Sequence, residues 1–143
     1  MSTIITELIP KIHDAHKKTP IEIRINAINR LNNSILEDES FKNIESYLIY
    51  NILPIVLKRL DDKPDVISVA NTFCNNLISK ISIQALPLII NIFSEEFRIE
   101  SKWRSKVGTL NLLSNYIKRV ISFDRDLLSS CLPELVNIIT PML

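Results

Sequence analysis

Two histidines, His13 and His16, stand three apart with Asp14 between them. On a helix that spacing puts two imidazoles on one face, which is the start of a metal site. A structural zinc centre needs about four ligands in tetrahedral array. Cys74 and Cys131 are the chain's two cysteines, and they lie far along the sequence among apolar residues at helical spacing. The histidine pair therefore reads as a solvated helix end, with no metal and no cofactor expected. Each cysteine reads as a small core hydrophobe, since Phe73, Leu77, Leu128, Leu132 and Leu135 surround the two at helical intervals. No nucleophile and base are brought together, so no catalytic residue is expected and the chain reads as a non-enzyme. The acid pairs Asp61-Asp62 and Glu95-Glu96 fall at helix ends and read as caps and solvated turns.

One cluster has binding chemistry. Arg98, Lys102, Arg104 and Lys106 surround Trp103, the single tryptophan. Alternating cations and an aromatic ring suit phosphate or an acidic protein surface. The competing reading is a solvated edge balanced by Glu95, Glu96 and Glu100, with Trp103 packing into a repeat seam. The whole chain gives no general field for a polyanion, because 17 basic and 16 acidic residues leave a net charge of +1.

The elements that must position these groups are helical. A single glycine, Gly108, leaves no material for hairpin turns or a phosphate-cradling loop. At 46% apolar and 23% charged, 143 residues suit one folded domain. No run reaches the roughly 18 apolar residues of a membrane span, and the amino terminus lacks a basic, apolar leader. A reducing, cytoplasmic location and no membrane partner are the expectations.

An apolar-proline step recurs at Ile9-Pro10, Leu53-Pro54, Leu86-Pro87 and Leu132-Pro133. Intervals of roughly 30 to 50 residues are those of helix-pair solenoids. The pattern predicts antiparallel pairs over about 3–36, 41–80 and 82–121, then a helix over about 124–143 that lacks a partner. The predicted fold is all-α, with about seven helices in a right-handed solenoid. Thr19-Pro20-Ile21-Glu22 has the form of a capped helix start. The second helix is expected to bury Ile21, Ile25, Ile28, Leu31 and Ile35. The helix after Ser101 is expected to bury Trp103, Val107, Leu110, Leu113 and Ile117. The helices carrying Pro54 and Pro87 are expected to bend there.

Leu86-Pro87-Leu88-Ile89-Ile90, Ser101-Lys102-Trp103, Lys106-Val107-Gly108-Thr109-Leu110 and Leu132-Pro133-Glu134-Leu135 together resemble HEAT repeats. More narrowly they are similar to the amino-terminal HEAT region of fungal-type translation elongation factor 3. That family draws its energy from ATP-binding cassettes, and these 143 residues hold no phosphate-loop motif. The resemblance implies docking rather than turnover: a scaffold or adaptor for a protein or ribosomal partner, linked to translation. RNA is an alternative partner. Arg98, Lys102, Trp103, Arg104 and Lys106 are the candidate contacts, with Arg24, Asn71 and Asn75 offering further polar groups. A rival expectation is assembly, in which Leu128 and Leu135 on the last helix mate with a second copy.

Overall fold

Helical spacing of apolar residues and the scarcity of glycine are expressed directly: no strand occurs among the described residues, and every regular element is a helix or a helical turn. The computed structural model describes residues 2–13, 20–36, 41–98 and 103–140. In order these form α1 (Ser2–His13), α2 (Ile21–Leu36), α3 (Phe41–Tyr47), a π turn (Leu48–Ile52), α4 (Leu53–Leu57) and a 3-10 turn (Lys58–Asp61). Then follow α5 (Pro64–Lys80), a 3-10 turn (Ile83–Ala85), α6 (Leu86–Arg98), α7 (Trp103–Phe123) and α8 (Arg125–Ile139). His16 and the Thr19 cap lie outside the described residues.

The chain divides into two compact units, Met1–Leu77 and Ile78–Leu143. In the first, α1 packs on α2 and on α4. Leu8, Ile12, Ile28, Leu31, Leu48, Leu53, Val56 and Phe73 are all at most 1% exposed. In the second, α6 packs on α7 and α8, and α7 packs on α8. Leu86, Ile89, Phe93, Leu113, Tyr116 and Val120 are its deepest residues.

The proline steps act in two ways. Pro54 has no N–H to donate and its ring would crowd the carbonyl four residues back. The chain widens just before it: the Leu53 N–H bonds to the Leu48 carbonyl, five residues back, and the π turn delivers Pro54 into the first turn of α4. The Asn51 side-chain amide donates to the Tyr47 carbonyl at 3.3 Å across this widened stretch. Pro87 likewise occupies the first turn of α6, after a 3-10 turn, where no donor is needed. Pro10 and Pro133 lie inside α1 and α8, which continue through them.

Two helices are rotated from expectation. In α2 the buried stripe is Arg24, Ala27, Ile28 and Leu31, while Ile21 is exposed and Ile25 half-buried. The Pro20 carbonyl joins the opening of α2, accepting from Ile23 and Arg24. In α7 the buried set is Ser105, Thr109, Leu112, Leu113, Tyr116 and Val120. Val107 is exposed, and Leu110 and Ile117 are half-buried. In both helices a long side chain with a polar end, Arg24 or Tyr116, points inward because a partner there satisfies it.

Candidate functional site

Asp62 sits in the connection between the 3-10 turn and α5, and its side chain is 10% exposed. One carboxylate oxygen accepts from Arg24 Nη2 at 2.9 Å and from the Lys63 backbone N–H at 2.7 Å. The other accepts from Arg59 Nη1 at 3.2 Å. The Arg24 and Arg59 side chains are 4% and 7% exposed. Three charges thus leave water together, and the shared carboxylate compensates part of the desolvation of the two guanidinium groups. This corrects two expectations. Arg24 offers nothing to a partner, and Asp62 is a buried tie rather than a solvated turn.

A second tie lies in Ile78–Leu143. Tyr116 is fully buried, and its hydroxyl donates to the Ser82 carbonyl at 2.7 Å. One turn along α7, Arg119 donates through Nη1 to the Ser79 carbonyl and through Nη2 to the Ile81 carbonyl. Its guanidinium lies 5.4 Å from the Tyr116 ring centroid. The end of α5 leaves carbonyls without helical partners, and this pair satisfies them while holding the connection into α6.

The cysteines are core residues, as their surroundings implied. Cys74 is completely buried, and that burial pushes its thiol above the ordinary value of 9.0. Cys131 is 8% exposed, on the buried stripe of α8 with Leu135 and Ile138.

The candidate contacts are distributed unevenly. Arg98 is exposed at the end of α6 and meets Glu95 at 3.0 Å. Lys102 lies outside the described residues, as do the side chains of Trp103 and Arg104, whose backbones open α7. Lys106 is half-buried one turn further on. The first turn of α7 contains no acidic residue, so the positive end of its dipole and the basic side chains have the same sign. Asn71 is exposed on α5, and Asn75 is tied back to it, donating to the Asn71 carbonyl at 2.9 Å.

On α8 the expected docking residues change. Leu135 is only 4% exposed and belongs to the core, and Leu128 is half-buried. Among the described residues of α8, the large hydrophobic side chains that are exposed are Leu132 and Val136, at 51% and 52%. They are one turn apart and so form a single strip. Leu132 and Leu135 carry the same hydropathy in sequence, and only the rotation of α8 separates them.

A family model described as the EF3 N-terminal HEAT repeat matches residues 2–143. The chain belongs to that family. The EF3 N-terminal HEAT repeat assignment agrees with the helices and proline steps already described. A curated relative, elongation factor 3 of Gonapodya prolifera (strain JEL478), is 28% identical over 108 residues. The match takes in 75% of this chain and 9% of that protein, so the chain spans a small part of its relative's length. No solved structure matches the chain. Among the described residues, no single helix is long and apolar enough to cross a membrane.

Proposed function

We propose that this chain is a non-catalytic HEAT-repeat scaffold that docks on a ribosomal or other protein partner in translation. The match to the EF3 N-terminal HEAT repeat across residues 2–143 is the observation that carries this reading. Helix pairs over about 3–36, 41–80 and 82–121 supply the frame, and surface complementarity supplies the binding. The opening of α7 is the contact we assign. In sequence Lys102, Arg104 and Lys106 fall at the start of α7, a place where acids, not cations, would stabilise the helix. Cations kept at that cost to stability suit a site for phosphate or acidic side chains, and Trp103 adjoins them in sequence. The working place of such a scaffold is the cytoplasm. Affinity capture of the tagged chain from native extract, scored for ribosomal proteins, tests this. Enrichment of ribosomal proteins is the expected result, and their absence rejects the translational role.

A second reading is favoured by the strip of Leu132 and Val136 on α8, which suits self-association. In that case the chain assembles through α8, and its size in solution depends on concentration.

A further inference from the structure

The inward turn of Arg24 toward Asp62 sets which residues flank the buried stripe of α2. It leaves Ile21 and Ile23 at 38% and 42% exposure on a helix rich in isoleucine. Ile23 lines an open groove of about 340 Å³ together with Leu8, Lys11, Asn26, Ala27 and Arg30. The floor is apolar: Leu8 is 1% and Ala27 2% exposed. Ala27 is small, and its missing bulk gives the groove its depth. At about 340 Å³ the space is at the small end of ligand sites and fits one or two branched side chains.

The groove is lined by a cation from each helix. Lys11 on α1 and Arg30 on α2 both reach the Glu7 carboxylate, at 3.4 and 3.5 Å. Charge-assisted bonds of this kind close to about 2.7–2.9 Å when fully formed. Glu7 is therefore shared between two cations, and both contacts are long. Two positive charges face one negative charge here, so the net charge left at the groove is positive. An apolar floor under a cationic edge complements a side chain that is aliphatic beside one that is acidic. A phosphate or nucleotide would gain from the edge but not from the floor.

We infer that this groove binds an acidic, leucine-rich peptide segment of a protein partner. A leucine side chain lies over Ala27 and Leu8 against Ile23, and a neighbouring carboxylate takes the position between Lys11 and Arg30 in competition with Glu7. Asn26 supplies an amide for the peptide backbone. The site uses none of the residues that open α7, and it does not depend on ribosome docking.

The probe is a fluorescein-labelled peptide, Glu-Leu-Leu-Glu-Asp-Leu, titrated with the full chain at low salt and followed by anisotropy. A matched peptide with lysine at each acidic position is the control. The acidic peptide is expected to saturate with Kd on the order of 10⁻⁴ M, as suits a small, solvent-open contact. The lysine peptide is expected to bind at least about tenfold more weakly. Lys11→Glu with Arg30→Glu is expected to weaken the acidic peptide by about tenfold or more, and Ile23→Ser by about threefold. Glu7→Gln removes the internal competitor and is expected to tighten binding by about threefold. All four positions are at least partly exposed, and unchanged helical circular dichroism verifies each variant. Equal binding of the two peptides, no saturable binding, or a Glu7→Gln variant that binds no more tightly overturns the inference.

Discussion

Arg24 and Asp62 are 38 residues apart in sequence and 2.9 Å apart in space, with side chains 4% and 10% exposed. The bond fixes which face of α2 turns inward and ties that helix to the connection ahead of α5. Because Arg59 shares the same carboxylate, loss of Asp62 removes the one anion that both buried guanidinium groups share. Asp62→Ala is expected to cost about 3–5 kcal/mol in urea unfolding, the range for breaking a buried ion pair from one side. Replacing Arg24, Arg59 and Asp62 together with apolar residues of similar size is expected to cost far less, since no charge is then left alone. Equal losses for the single and triple variants would contradict this account of the tie.

Tyr116 and Arg119 make a separate test. Tyr116→Phe keeps the ring and removes only the bond to Ser82, so a loss of about 1 kcal/mol is expected. Arg119→Ala removes two carbonyl contacts at the end of α5 and is expected to cost about 1–2 kcal/mol, moderated by its partial exposure. Hydrogen exchange is expected to quicken first at the end of α5 and in the connection into α6.

Much of the fold is legible in sequence because it rests on local rules. The second half of the pair expected over about 41–80 is found as one helix, Pro64–Lys80, with Val66, Ala70, Phe73, Cys74 and Leu77 buried. The π turn ahead of Pro54 also follows from proline's missing donor. What local rules could not give is rotation. Ile21 looks more buried than Arg24 on hydropathy alone, and only a carboxylate 38 residues away reverses the order. The same holds for Val107 against Thr109, whose hydroxyl donates to the Ser105 carbonyl at 2.9 Å and so leaves nothing polar exposed to the core. Among the candidate contacts, Leu135 is misread for this reason. The proline step marks its helix but not the direction the helix faces.

The Cys74 thiol gives a pH signature. Burial raises its pKa in the folded chain, so the native state keeps the proton that the unfolded chain releases. The stabilising contribution is complete below the ordinary thiol value of 9.0 and is lost as pH rises above it. From Cys74 alone the decline approaches about 1.4 kcal/mol per pH unit. Urea midpoints between about pH 7 and 10 are expected to fall less steeply in Cys74→Ala than in the unaltered chain. Native-state labelling with a maleimide is expected to reach Cys131 before Cys74.

On α8, buried and exposed leucines separate stability from assembly. Leu135→Ala is expected to cost about 2–4 kcal/mol through the cavity it leaves, whereas Leu132→Asp with Val136→Asp is expected to leave the urea midpoint within about 0.5 kcal/mol. Sedimentation equilibrium is expected to show one monomeric species at all concentrations. A concentration-dependent dimer that the Leu132 and Val136 substitutions abolish would establish assembly through α8 instead.

The central claim is that this chain docks through the basic opening of α7. Its most direct test is co-sedimentation of the purified chain with purified ribosomes at about 50 mM and about 300 mM KCl, beside a variant carrying Lys102→Glu, Arg104→Glu and Lys106→Glu. The account predicts that the unaltered chain pellets with ribosomes at low salt and is released at high salt, while the variant, equally helical, stays in the supernatant at both. A chain that stays in the supernatant at low salt, or a variant that pellets as the unaltered chain does, would contradict it.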